Sequence, residues 1–257
     1  INNLSNIQAS FGDYVDRSYQ KYDLIIAADG PSSTLRTEWG IKCFSWKYSQ
    51  ACLTTKVLLR GYKPQTAYEL FRFEGPMALL PMGSDLFQLV WSAPFELCES
   101  RLNLPEHKFL DQLAISLPYG LQPDVIIDKR AVFPLQFCIA KQLSKGKGLL
   151  LGESAHRCHP VGGQGLNLCW RDVDQLVTIM ENVRNDRYKL RSVYKIYAKK
   201  RKIDIISISL FTHCLVKLFS NRNRVLLWLR TIIFSLLKNV RVLRLVSLRI
   251  MSYGIII

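Results

Sequence analysis

The chain has 257 residues, room for one large domain or two small ones. Hydrophobic residues make up 49% and charged residues 21%, which excludes a disordered or fibrous chain and leaves a globular protein with a core. The net charge of +15 is uneven: residues 1–183 hold 18 Lys/Arg against 18 Asp/Glu, and residues 184–257 hold 17 against two, Asp186 and Asp204.

The first residue is Ile1, so the expectation is a fragment of a longer chain. No signal-peptide pattern opens it. Seven cysteines, an odd number without a C-x-x-C pair, argue against a disulfide framework or zinc ribbon and for a reducing compartment.

In chain order, residues 22–28 (YDLIIAA) read as a short buried strand closed by Asp29-Gly30-Pro31. Segments 51–60, 66–74, 77–82, 86–92 and 125–134 read as strands of an antiparallel sheet, separated by turns such as Met82-Gly83-Ser84-Asp85. A short helix opened by Pro105 covers 105–116. Residues 148–152 (GLLLG) form a second buried strand. A helix follows the loop Gly162-Gly163-Gln164-Gly165, with an apolar stripe at Leu166, Cys169, Val173, Leu176, Val177 and Met180. A basic helix covers 190–202, and residues 203–257 are helical, apolar and basic.

Two motifs carry chemistry. In the first, a buried strand delivers Asp29 and Gly30 to its C-terminal end, where α/β folds bind ligands, and Ser32 or Ser33 caps a helix carrying Arg36. In the second, a buried strand ends in Gly152-Glu153. Pro160 and the loop Gly162-Gly163-Gln164-Gly165 then lead into a helix at Leu166-Asn167. Three glycines in four residues let backbone approach a flat ligand, and the helix N-terminus favours negative charge. His156, Cys158 and His159 lie close together but lack distant partners at ligand spacing, so no metal is expected.

These motifs, about 120 residues apart, resemble the second and third flavin signatures of the p-hydroxybenzoate-hydroxylase-like monooxygenases. The segment from Ala67 to Pro81 with Val90-Trp91-Ser92 is similar to the substrate segment of the ubiquinone-biosynthesis hydroxylases. Tyr197-Ala-Lys-Lys-Arg201-Lys-Ile-Asp204 and Leu218-Phe219-Ser220-Asn221 also resemble that subfamily. Three departures stand out. The N-terminal G-x-G-x-x-G fingerprint is missing, Glu153 replaces the usual Asp, and Leu70 stands where an Arg is usual. Without the fingerprint the chain alone is expected to bind FAD weakly or not at all.

The resemblance implies an α/β (α+β) fold. A partial Rossmann-like FAD-binding domain (1–40 and 136–183) holds an inserted antiparallel β-sheet substrate domain (41–135), and a C-terminal helical tail follows (184–257). It implies an FAD-dependent monooxygenase, reduced by NAD(P)H, that hydroxylates a polyprenylated phenol with O2 through a flavin hydroperoxide. In that reading Glu153, beside Gly152, bonds the ribityl chain. Pro160, Gly162, Gly163, Gln164 and Gly165 position the ring, and the N–H groups near Leu166 and Asn167 stabilise negative charge on it. Asp29, Gly30 and Arg36 complete the pyrophosphate edge, and Phe71, Phe73 and Trp91 form apolar walls of the substrate pocket.

The tail argues for a membrane surface. Its apolar runs at 205–216 and 225–237 are shorter than the ~20 residues a spanning helix needs. On one continuous helix Arg230, Lys238, Arg241, Arg244 and Arg249 fall within an arc of about 140° at ~100° per residue. That is the pattern of a helix lying among lipid headgroups. Its arginines alternate with Leu, Val and Ile and lack the aromatic interleaving of nucleic-acid binders, so no nucleic-acid partner is expected. The expected place is the cytoplasmic face of a membrane, with a quinone-biosynthesis complex as a further partner. The alternatives are a non-catalytic remnant of a flavin fold that binds a membrane or partner, and a flavin reductase or epoxidase acting on isoprenoids.

Overall fold

The computed structural model describes residues 22–183, 192–220 and 223–254. The expectations for 1–21, 184–191, Asn221 and 255–257 lie outside them, including the first two residues of the helix expected at 190–202.

Two sheets organise the chain. The smaller has three strands, β1 (Ile25–Ala27), β9 (Gly148–Leu150) and β8 (Ser144–Lys145), in the order β1-β9-β8. β1 and β9 run parallel, with Ile25 opposite Gly148 and Ala27 opposite Leu150. β9 is buried along its whole length, as parallel strands commonly are, whereas in β1 Ala27 is buried and Ile26 is exposed. The indole of Trp39 crosses β9 so closely that a Cβ on Gly148 would stand 2.5 Å from the ring. Glycine is therefore required there for packing.

The larger sheet is antiparallel. β2 (Cys43–Arg60), β3 (Tyr68–Phe71), β4 (Pro76–Gly83), β5 (Leu86–Pro94), β7 (Ala131–Ala140) and β10 (His156–Arg157) run in the order β10-β7-β2-β5-β4-β3. β6 (Gln122–Ile126) pairs with the far end of β2. α2 (Phe95–Asn103) and α3 (Glu106–Ser116) cover its apolar face. Leu53, Met77, Leu79, Phe87, Leu89, Trp91, Phe109 and Leu113 are closed from solvent there.

Three expectations change here. The strand expected at 51–60 begins eight residues earlier, at Cys43. Its first half pairs with β7 and presents Phe44, Trp46 and Tyr48, with Trp46 stacked on Phe137 at 3.9 Å. The strand expected at 125–134 is two, β6 and β7, parted by a turn at Asp128. That turn is held by the Thr55 hydroxyl on the Asp128 carbonyl (2.7 Å) and by Lys56 on its carboxylate (3.2 Å). α2 had no counterpart in the reading from sequence.

The remaining helices are α1 (Thr34–Glu38), α4 (Gln164–Val183), α5 (Val193–Phe219), α6 (Arg224–Asn239) and α7 (Arg241–Tyr253). α5 runs unbroken through the boundary expected at 202. Its buried side, including Tyr197, Ile205 and Ile208, joins Ala27, Leu149, Leu150, Leu168 and Leu176 in a second core beside the small sheet.

On α4 the buried side is Gln164, Leu168, Asp172, Leu176, Ile179 and Val183. The stripe expected to be buried is largely outward: Leu166, Val173, Val177 and Met180 are exposed, and only Leu176 is shared. The helix instead buries the face of Leu168, Leu176, Ile179 and Val183, on which Asp172 makes its ion pairs. Hydrophobicity alone places a carboxylate outside.

α6 and α7 are separate helices broken at Val240, so the single basic arc does not exist as one face. Arg230 leaves it altogether. Its Nε donates to the Leu218 carbonyl at 2.6 Å at the end of α5, where the helix dipole favours a cation. Among the described residues no single helix is long and apolar enough to cross a membrane. The pair α5 and α6, bent by 119°, passes that test together by length and composition.

Candidate cofactor site

The parallel pairing of β1 and β9 brings the two motifs side by side. Leu151 N–H donates to the Ala27 carbonyl at 2.9 Å, so Asp29-Gly30 and Gly152-Glu153 leave neighbouring strands at the same end. Ser154 ties them again, its hydroxyl donating to Ala27 O at 2.6 Å. Arg36 spans both turns, with Nη2 on the Pro31 carbonyl (2.8 Å) and Nη1 on the Ser154 carbonyl (2.7 Å). Ser33 caps α1 by accepting from the Arg36 N–H at 2.9 Å. Asp29 turns back onto the same helix, accepting from Leu35 N–H at 3.1 Å. The Arg36 side chain is thus a staple between the motifs, and Gly30 makes the turn with φ +83°.

Behind the second turn, Asp172 of α4 reaches out. Its Oδ2 accepts from the Gly152 N–H (2.9 Å) and from His156 Nε2 (2.8 Å), and its Oδ1 from Arg201 Nε (2.7 Å). A carboxylate only accepts, so His156 carries its proton on Nε2. Burial alone would raise the Asp172 pKa. The hydrogen bond and charge of His156 and the charge of Arg201 outweigh it and hold the carboxyl below its ordinary range. Glu153 points outward into solvent from the tip of this turn.

The ring loop begins at Pro160 and makes a tight turn over Val161–Gly163 before α4. Gly162 and Gly163 take φ of +70° and +62°, which favour glycine. Open space surrounds Gly163 and Gly165, where no atom stands within 4 Å of a would-be Cβ. Gln164 turns inward, is 2% exposed, and donates to the Gly162 carbonyl at 3.0 Å. Leu166 projects outward at 65% exposure, and the Asn167 carbonyl accepts from Arg171. His159 is buried beside the edge of Tyr48. Its Nδ1 accepts from Val161 N–H at 3.2 Å, and burial, with His213 adding, pushes its pKa down to about 3, so the ring is neutral.

Two neighbours of the loop were not read from sequence. Glu69 of β3 brings Oε1 to 3.5 Å from the Gly162 N–H. By surface area the residue is exposed, yet the protein packed around its carboxylate raises its pKa, with the Gly162 N–H pulling the other way. Met251 of α7 lies 3.2 Å from the position a Gly162 Cβ would take.

The three aromatics expected to line a substrate pocket are dispersed. Phe71 stacks on Phe219 at 4.1 Å and Phe73 is exposed. Trp91 is closed in the sheet core. Its indole donates to Glu74 at 2.7 Å and Arg101 covers its face at 3.7 Å, so it has no surface to offer a ligand.

A family model described as an FAD binding domain matches residues 16–202. The chain belongs to this FAD-binding family. It is 30% identical to the ubiquinone biosynthesis monooxygenase COQ6, mitochondrial, of Homo sapiens over 84% of this chain and 54% of that protein. It is 31% identical to the 3-demethoxyubiquinol 3-hydroxylase of Escherichia coli over 70% of this chain and 46% of that one. The chain thus spans about half the length of these curated relatives. The p-nitrophenol 4-monooxygenase PnpA from Pseudomonas putida shares its fold, with a TM-score of 0.66 at 16% identity over 90% of this chain and 59% of that one. So does Pseudomonas aeruginosa PqsL in complex with 2-aminobenzoylacetate, with a TM-score of 0.65 at 19% identity over 77% and 56%.

FAD fits what this chain presents. The open backbone at Gly163 and Gly165 leaves room for a flat ring against the N-terminus of α4, and the exposed Glu153 faces out beside the stapled strand ends.

Proposed function

We propose that this chain forms the ring-facing part of an FAD-dependent monooxygenase. It hydroxylates the aromatic ring of a polyprenylated phenol in ubiquinone biosynthesis, with NAD(P)H as reductant and O2 as co-substrate. The observation that carries the reading is the parallel pairing that sets the turns Asp29-Gly30 and Gly152-Glu153 side by side, with the helix that follows the glycine loop bonded to the Gly152 N–H through Asp172.

In this reading Glu153 binds the ribityl hydroxyls. Gly162, Gly163 and Gly165 let backbone approach the ring, which Pro160 flanks, and Gln164 keeps the loop in shape from below. The first amides of α4, at Leu166 and Asn167, stabilise negative charge on the ring through the helix dipole. Gly30 and the stapled Asp29 and Arg36 hold the pyrophosphate edge. When bound, FAD supplies the activation of oxygen and its delivery to the substrate ring. The protein orients the phenol, excludes water and places charge.

The two helices α6 and α7 suit a lipid surface. Residues 223–254 hold six Lys/Arg and no Asp/Glu, and Val225, Trp228, Val242 and Leu248 are exposed among them. A membrane is where a prenylated substrate dissolves, so the reading places the protein peripherally on the cytoplasmic face, beside other quinone-biosynthesis proteins.

The test uses the protein isolated from its own cells, given a prenylated phenol, NADPH and ¹⁸O₂. A product carrying one labelled oxygen is expected. NADPH oxidation without a labelled product would overturn the hydroxylase reading.

A further inference from the structure

Five ionisable groups are buried together between α4, α5 and the small sheet. Arg201 pairs with Asp172 (2.7 Å) and with Asp204 (2.6 Å). Arg171 reaches Asp204 at 3.3 Å, and His156 completes the set on Asp172. Asp172 and His156 are 0% and 1% exposed, and Arg201 is 5% exposed. Gly254, just beyond α7, lies so close that a Cβ there would stand 2.7 Å from both Arg171 Nη1 and Asp204 Oδ1.

Burying such a network is expensive. Each ion loses its hydration, and apolar side chains of similar volume serve stability as well or better. What this network does that apolar packing cannot is hold backbone. Its hydrogen bond to a main-chain amide goes to Gly152, the residue with φ +66° that begins the turn after β9. The same oxygen, Oδ2, takes the His156 ring at the other end of that turn. One carboxylate oxygen therefore clamps both ends of Gly152–His156, with Glu153 at the outward tip. Arg36 and Ser154 hold the middle from the opposite side.

We propose that Asp172 is a positioning residue of the cofactor site: backed by Arg201, it fixes the Gly152–His156 turn so that Glu153 is presented to the ribityl chain of FAD. This rests on the reading that the site holds FAD. Asp172 touches no ligand. It acts through the turn, and its charge is what allows one oxygen to serve two donors while the other takes a guanidinium.

The test compares wild-type protein, isolated from its own cells, with Asp172→Asn and His156→Phe made there, at a temperature well below unfolding. Amide hydrogen exchange is read over 150–157, 173–183 and 195–208, and FAD affinity is read by flavin fluorescence quenching. Asn keeps the shape but offers one acceptor oxygen. His156→Phe removes the donor at one end of the clamp and keeps the Arg201 pair, so it remains informative if Asp172→Asn does not fold. In Asp172→Asn exchange over 150–157 should quicken, with the two helical segments little changed, and the FAD Kd should rise roughly ten- to a hundredfold. His156→Phe should do the same by roughly threefold to tenfold. Wild-type protein that binds FAD while both variants bind it equally well would overturn the proposal alone. So would loosening of the helices to the same extent as the turn. Wild-type protein that takes up no FAD would overturn the cofactor reading, and the positioning role with it.

Discussion

The large sheet and the cofactor side of this chain are built on opposite principles. The sheet has a long central pair, β2 and β5, in unbroken register from Gln50 to Leu58, and a core of Leu53, Leu79, Phe87, Leu89, Trp91 and Phe109, all closed from solvent. Its most enclosed ion pair, Arg101 with Glu74, sits over the edge of that core. The cofactor side has three-residue strands, glycines at positive φ and a network of buried ions, and it leaves Leu166, Trp170, Val173 and Val177 of α4 open. Apolar burial scales with area and needs no direction, so the sheet can stand as a rigid platform. Ion pairs and left-handed turns contribute little net stability but fix atoms in direction, which is what a cofactor requires.

Substitutions at the two regions should separate these roles. The largest effect is expected at Phe87→Ala, which empties the sheet core and should cost ~3–5 kcal/mol of global stability. Urea unfolding checks it, and a loss under ~1 kcal/mol would mean that the sheet is not the stable platform. Next come the basic helices α6 and α7. Changing Arg241, Arg244 and Arg249 together to Gln should weaken binding to anionic vesicles by about 1 kcal/mol per residue while leaving the urea midpoint unchanged. Flotation with anionic and neutral lipids reads this, and equal recovery on both lipids would remove the electrostatic part.

Gly163→Val should do the reverse of Phe87→Ala. No protein atom stands near its Cβ, so the cost is the φ of +62° plus the side chain in the ring space, about 1–3 kcal/mol. Flavin absorbance per protein should fall while circular dichroism in the far ultraviolet stays. The smallest effect belongs to Glu69→Gln. The folded-state pKa of Glu69 is raised, so its ionisation opposes folding: its contribution is full below the ordinary carboxylate pKa and is lost as pH rises through the folded value. Glu69→Gln should therefore match wild type near pH 4 and be more stable at pH 7 by less than about 1 kcal/mol. Thermal melts at both pH values test the sign.

Asp172 explains why the sequence could be read only in part. The two glycine motifs were legible because positive φ and close backbone approach demand glycine whatever surrounds them. The strands 77–82 and 86–92 were legible because alternation and the Gly83-Ser84 turn are local signals. The α4 stripe was misread because periodicity ranks residues by hydrophobicity. Leu166 and Val173 therefore outranked Asp172, whose burial depends on an arginine 29 residues away. The first half of β2 escaped notice for a related reason: Phe44, Trp46 and Tyr48 alternate with polar residues but pack on β7 and α5, not in the sheet core.

The sequence by itself determined the family resemblance, the two cofactor turns, the antiparallel middle and the basic end, all of which are written in short contiguous patterns. Only the tertiary structure decided that Arg36 is a staple, that Trp91 is core, that Asp172 faces inward, and that the basic end is two helices with Arg230 turned onto α5. Each of those depends on a partner distant in sequence, and a charged side chain goes wherever its counter-charge and hydrogen-bond acceptors are, which no local pattern records.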